Sequence, residues 1–172
     1  MQQLFNAKQK INEETEEEKK FRLLFPRIIR DLAEIEFDDI NKLEFPKDEK
    51  FAVGFKYIIT PTKGIYRNGS FVFDIKIPKD YPHSPPKVIC ETKIFHTDID
   101  ERGEICYGIL HDQWSVVYNL FQITMLLNLL FEEQHPDDPL NREAAELLKR
   151  DKDQFEQKVQ EMINENSNQN QK

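Results

Sequence analysis

The side chains best equipped for chemistry in this 172-residue chain are two cysteines and four histidines. Cys106 sits in Ile105-Cys106-Tyr107-Gly108, inside a stretch with no clear periodicity. A thiolate there is a nucleophile for an acyl carbon, activated by a nearby base or positive charge. The alternative is a small buried thiol, the commonest fate of a free cysteine. If Cys106 has a base, the candidates are His96 and His111, although neither stands in a recognisable protease signature. Cys90 closes an alternating run and reads as core. His83, His96, His111 and His135 are scattered singly, with no C-x-x-C or H-x-x-x-H spacing, so no metal site is expected. The glycines, at 54, 64, 69, 103 and 108, form no phosphate-cradling loop, which argues against nucleotide hydrolysis.

Something must position Cys106. Ile28, Ile29, Leu32 and Ile35 recur at helical spacing, predicting an amphipathic helix over about 22–35 with Pro26 in its first turn. Phe51 to Ile59 and Phe71 to Ile77 alternate, and Val88-Ile89-Cys90 follows Pro85-Pro86; these read as three antiparallel strands. Residues 96–117 form a long connection. It carries Ile99, Ile105, Ile109, Leu110 and Trp114, so it must pack, and long packed loops are usually functional. Tyr118 to Phe131 is apolar almost all round and reads as a central buried helix. Leu140 to Lys149 and Asp153 to Ile163 read as two further amphipathic helices, with Asp137 and Asp138 as acids at a helix start. Strands and helices are segregated along the chain, which means α+β. The expected organisation is a flexible N-terminal tail over 1–21, one domain over 22–163, and a disordered Asn/Gln/Ser-rich tail over 164–172.

Composition narrows the function. Net charge is −8 and the pI near 5.1, which argues against general nucleic-acid binding. No apolar run is long enough to span a membrane, and the start carries no signal-peptide pattern. Two cysteines make no disulfide framework; free thiols fit a reducing cytoplasmic or nuclear compartment.

Taken singly, each motif has a structural explanation. The ordered set is specific: Tyr81-Pro82 with Pro85-Pro86, His96, Gly103-Glu104-Ile105-Cys106, Ile109-Leu110, Trp114, and Pro136-Asp137-Asp138-Pro139-Leu140. Over about residues 22–163 it resembles the ubiquitin-conjugating enzyme family. The resemblance implies a four-stranded antiparallel meander flanked by an N-terminal helix, a central helix and C-terminal helices. It also implies that Cys106 accepts a ubiquitin-like modifier as a thioester and passes it to a substrate lysine. Asp138-Pro139-Leu140-Asn141-Arg142-Glu143-Ala144-Ala145-Glu146, Phe155-Glu156-Gln157-Lys158-Val159 and the start Met1-x-x-Leu4-Phe5 are similar to the branch that conjugates the neddylation modifier (Rub). In that branch the tail, with Met1, Leu4 and Phe5, docks on the heterodimeric activating enzyme and presents the chain start to a co-ligase. A short apolar anchor on a tether adds affinity by raising effective concentration. The resemblance further implies a cullin-associated RING-type ligase on the loops around His83, Ser115 and Val116, a monomer, and no cofactor, with ATP used by the activating enzyme.

By the same analogy Asp138 lies near the thioester and orients the attacking lysine. A carboxylate alone raises a lysine's pKa, so desolvation must supply any net lowering. The main departure is His96-Thr97-Asp98, where the family usually has His-Pro-Asn and the asparagine supports the active-site loop or donates to the oxyanion. An ionised Asp98 has no proton to donate. Losing one such donor typically costs about 3–4 kcal/mol of barrier, and a carboxylate ~4 Å from an oxyanion adds repulsion of up to about 4 kcal/mol at an effective dielectric of 20. The expectation is therefore that Asp98 braces the loop by accepting backbone N–H bonds, with His96 supporting the same loop. Tyr107 and Gly108 replace the usual leucine and the usual small polar or acidic residue, and Ser115-Val116-Val117 lacks the proline often found there. Two rivals remain: the same chemistry with ubiquitin, and a non-catalytic module that only binds a modifier or ligase.

Overall fold

In the computed structural model, residues 16–35, 40–46 and 54–169 are described. The alternation in the middle of the chain becomes a four-stranded antiparallel meander in sequential order: β1 (Asn41–Glu44), β2 (Gly54–Ile59), β3 (Phe71–Lys76) and β4 (Lys87–Cys90). Successive strand residues point to opposite faces. Phe55, Tyr57 and Ile59 of β2, Phe71, Phe73 and Ile75 of β3, and Val88 and Cys90 of β4 are therefore buried on one face. The register sets Tyr57 opposite Phe73, and Phe73 opposite Cys90. Strand β1 is short and polar, and its residues carry too little alternation to be read as a strand. Phe51 and Val53, read as the start of β2, lie outside the described residues.

Four helices accompany the sheet: α1 (Glu16–Ala33), α2 (Leu120–Glu132), α3 (Arg142–Arg150) and α4 (Lys152–Gln169). Helix α2 lies across the apolar sheet face. Its Phe131 ring packs 4.8 Å from that of Phe71 and 6.1 Å from that of Phe73, and Asn128 donates to the Tyr57 hydroxyl at 3.1 Å. Leu120, Ile123, Leu127 and Leu130 are wholly buried. Truncating any of them to alanine would cost about 2–5 kcal/mol. The helix starts on a capping box, in which Asn119 and Gln122 satisfy each other's backbone N–H groups. It is not buried all round, as its composition led us to expect. Met125 and Leu129 face outward, because the sheet covers only one side of it.

Three boundaries differ from expectation. Helix α1 begins at Glu16 rather than 22, so residues 16–21, assigned to the tail, are helical. Glu and Lys are strong helix formers, and a charged run can supply the first turns. Pro26 consequently lies inside the helix and not in its first turn. Tertiary packing of Leu24, Ile28 and Ile35 offsets the proline cost of about 3 kcal/mol. Ile29, read as part of the buried stripe, is exposed beside Phe25. At the other end α4 runs through Gln169, so most of the stretch expected to be disordered is helix. Asn166 explains this in part, because its amide donates to the Lys93 carbonyl at 2.8 Å and ties the last turns to the domain. Finally, Asn141 and not Asp137 or Asp138 caps α3, accepting the Ala144 N–H at 3.1 Å.

Candidate active site

The connection between β4 and α2 carries the site. Ile99, Ile105 and Leu110 anchor it in the core, and isolated bridges pair Ile99 with His96 and with Ile105. Gly103 makes the tight return possible: its φ is +79°, and a Cβ there would lie 2.0 Å from the Cys90 carbonyl oxygen. Only glycine takes up that conformation and closeness without strain. Three residues on, the chain leaves the core at Cys106, whose side chain is exposed while Ile105 before it is buried. A single 3₁₀ turn, Gly108–Leu110, follows and re-enters the core.

His96, Thr97 and Asp98 form the floor beneath Cys106, all buried. The His96 Nδ1 accepts the Asp98 N–H at 2.9 Å, so its Nε2 carries the proton and donates to the Leu130 carbonyl at 2.7 Å. Burial lowers its pKa from 6.5 to about 4, keeping it neutral. The ring stacks on Tyr66 at 5.3 Å. Thr97 fastens a second loop, residues 133–141: its carbonyl accepts both the Leu140 and Asn141 N–H groups at 2.9 Å, and its hydroxyl accepts the His135 N–H at 3.3 Å. Asp98 joins the two loops to the cysteine. Its backbone carbonyl accepts the Cys106 N–H at 3.1 Å, and its carboxylate takes the Thr97 hydroxyl at 3.2 Å and faces His135 Nδ1 at 2.9 Å. Asp98 was expected to brace the loop through backbone N–H donors to its carboxylate. The donors are instead a hydroxyl and an imidazole, because the neighbouring backbone N–H groups go to other acceptors: Cys106 to the Asp98 carbonyl, Leu140 and Asn141 to the Thr97 carbonyl, His135 to the Thr97 hydroxyl and Asp98 to His96 Nδ1.

Of the two histidines considered as bases for Cys106, His96 is not available, because both its ring nitrogens are engaged below the loop. His111 donates Nε2–H to the Ile105 carbonyl at 3.0 Å, which occupies one of its two ring nitrogens. His135 is the imidazole that the structure brings to the site. The sequence reading weighed it only as one of four scattered histidines. Tyr107 packs edge-on against it with ring centroids 6.2 Å apart. Burial, with Asp98 and Glu133 nearby, pushes the Tyr107 phenol up to about 12, so it stays neutral. Asp138 is exposed three residues further along the same loop. Its neighbour Asp137 is paired with Lys149 at 2.8 Å. Cys90 is buried core, with its thiol pushed up to about 12 by burial. Among the described residues no cluster of His, Cys, Asp and Glu could hold a metal ion.

A second surface is assembled from three elements. Trp114 Nε1 donates to the Pro82 carbonyl at 2.8 Å, which sets the His83 turn against the Ser115–Val116 loop. Arg27 of α1 donates to the Tyr118 carbonyl at 3.0 Å, and its guanidinium lies over the Tyr81 ring. His83 and Val116 are exposed and Ser115 is half-buried. Phe25 and Ile29 on α1 are exposed large apolar residues; the sequence reading did not single out Phe25, and it placed Ile29 in the buried stripe. Met1, Leu4 and Phe5 lie outside the described residues.

Three comparisons with known proteins identify the family. The family model described as "Ubiquitin-conjugating enzyme" matches residues 27–163. The "Nedd8-conjugating enzyme UbcE2M" of Drosophila melanogaster is 41% identical over 137 residues, covering 80% of this chain and 75% of its own. The "NEDD8-conjugating enzyme ubc12" of Schizosaccharomyces pombe is 36% identical over 162 residues, covering 92% and 89%. Among solved structures, "S. cerevisiae Ubc12" superposes with a TM-score of 0.73 at 33% identity, covering 92% of this chain and 88% of its own. With a family model matching most of its length and a four-stranded sheet and helices that match the solved relative, the chain belongs to the ubiquitin-conjugating enzyme family.

Proposed function

We propose that this enzyme conjugates the neddylation modifier. An activating enzyme, probed by its ATP requirement, hands the modifier to Cys106 as a thioester, and the modifier then passes to a substrate lysine with ligase help. The observation that carries the reading is the placement of Cys106: an exposed thiol whose backbone is fixed to a buried, fully bonded loop. The thiolate attacks the incoming thioester, and the fixed backbone presents the new carbonyl carbon to the lysine in one orientation. His96 and Asp98 hold that loop, and Asp138 orients the amine. The chain itself needs no cofactor. The names of the relatives support the modifier branch.

The remaining parts of the reading follow the family. A RING-type ligase, cullin-associated, docks on the loops of His83, Ser115 and Val116. The tail with Met1, Leu4 and Phe5 engages the heterodimeric activating enzyme, and the chain start engages a co-ligase. The enzyme works as a monomer in cytoplasm and nucleus. The test is charging by two purified activating enzymes, each with its own modifier, for the full chain and for a chain lacking residues 1–20. The neddylation pair should charge the full chain, and the truncation should impair it. Charging by the ubiquitin pair alone would overturn the branch assignment.

A further inference from the structure

We propose that His135, oriented by Asp98, is the group that takes the proton from the attacking lysine when the Cys106 thioester is discharged. The inference rests on the thioester reading above and adds a catalytic residue to it. The geometry begins at Asp98, which holds Cys106 through its backbone carbonyl at 3.1 Å and His135 through its carboxylate at 2.9 Å. Thr97 and Tyr107, one from the floor and one adjoining Cys106, also contact His135. The imidazole is therefore fixed against the loop that presents the thiol.

Its tautomer follows from its partner. An ionised carboxylate only accepts, so Nδ1 carries the proton and the neutral ring presents the Nε2 lone pair on the other side. His135 is 49% exposed, so this edge can be reached. The nearest anion to Nε2 is Glu133 at 3.9 Å, too far for a hydrogen bond. The charged and titratable groups around the ring are Asp98 and the neutral His96 from the floor, Glu133 from the end of α2, and the neutral Tyr107 phenol. Asp138 can orient an ammonium or amine, but an imidazole's proton affinity lies nearer working pH than a carboxylate's, which favours it as proton acceptor. The pairing also gives Asp98 a purpose in the place of the usual asparagine: a carboxylate holds Nδ1–H and faces the imidazolium that forms.

In the step itself the lysine Nζ attacks the thioester carbonyl carbon. The N–C bond forms and the C–S bond breaks, with its electron pair leaving on Cys106 Sγ as thiolate. The proton leaves Nζ for His135 Nε2. Solvent then removes it, or the thiolate recovers it.

The test is single-turnover discharge. The chain is charged at one pH, the activating enzyme is stopped with EDTA, and free lysine is added over a range from about pH 5.5 to 9. Only charged, hence folded, molecules are scored. In the wild-type enzyme the rate should show an inflection with pH, rising more steeply on its acid side than above it, because two groups must then lose a proton rather than one. His135→Asn keeps an N–H donor for Asp98 and so keeps the brace. It should slow discharge by about a hundredfold near neutrality and leave a single slope set by the lysine alone. His135→Gln, whose amide also reaches Asp98, should do the same and serves if the first variant does not charge. Wild-type rate and inflection in either variant would reduce His135 to a brace and overturn the inference. Failure of the wild-type chain to form any adduct would instead overturn the thioester reading, and is seen before lysine is added.

Discussion

Acid should weaken this fold through one residue that the site cannot do without. His96 is fully buried, with its two ring nitrogens on the Asp98 N–H and the Leu130 carbonyl, and burial holds it neutral with its pKa at about 4 rather than 6.5. A proton on Nδ1 would set it against the Asp98 N–H. In the unfolded chain the same ring takes up a proton near the ordinary value. Between pH 6.5 and about 4 the unfolded state therefore binds more protons, and stability falls as pH falls. The contribution is complete above that window and gone below it. The gap between the two values corresponds to about 3 kcal/mol. The informative perturbation is His96→Gln, which cannot titrate in this range. It should be less stable than the parent near neutrality, having lost one of the two bonds. The difference should then shrink by about 2–3 kcal/mol on going to roughly pH 4.5, because only the parent pays to keep a neutral imidazole. Urea unfolding followed by Trp114 fluorescence at several pH values measures this directly. The contributions of the other carboxylates and histidines largely cancel in the comparison. A parent-to-variant difference that stays constant with pH would refute the reasoning.

Other consequences are simpler to check. Gly103→Ala forces a side chain onto the Cys90 carbonyl at a positive φ, and should cost more than about 2 kcal/mol in thermal unfolding. A thiol-alkylating reagent should modify Cys106 in the native protein and reach Cys90 only in denaturant, because Cys90 is buried and its thiol pushed up to about 12; equal labelling by mass spectrometry would contradict the buried placement. Asp98→Ala removes the acceptor of both Thr97 and His135 and should slow lysine discharge more than charging; an unchanged discharge rate would count against its bracing role. Trp114→Phe loses the bond to the Pro82 carbonyl and should cost about 1 kcal/mol, with weaker ligase binding through the loosened loops.

The sheet was legible because one buried face imposes a period of two. Phe55, Tyr57 and Ile59, like Phe71, Phe73 and Ile75, could be assigned from alternation alone. Strand β1 was not legible: Asn41–Glu44 lies at the sheet edge and contributes little buried apolar surface. The ends of α1 and α4 were misjudged for a different reason. Charged and amide-rich segments look alike whether they are solvated helix or tail, and contacts such as Asn166 to Lys93 decide the matter from a distance of many residues. At the site, Cys106 was singled out by its place in an ordered motif, and the structure places it at the surface. The partnership of Asp98 with His135 spans 37 residues and leaves no local pattern. Asp98 looked like a defect for that reason; its partner becomes visible only when the two loops are brought together.

The account stands or falls on the bond formed at Cys106. Intact-mass measurement of the full chain, after incubation with ATP, the neddylation activating enzyme and its modifier, should find one modifier per chain, released by thiol reductant. With Cys106→Ser the adduct should persist in reductant as an oxyester. An adduct that survives reductant in the parent chain, or one that Cys106→Ser leaves sensitive to it, would place the acceptor elsewhere and contradict the central claim.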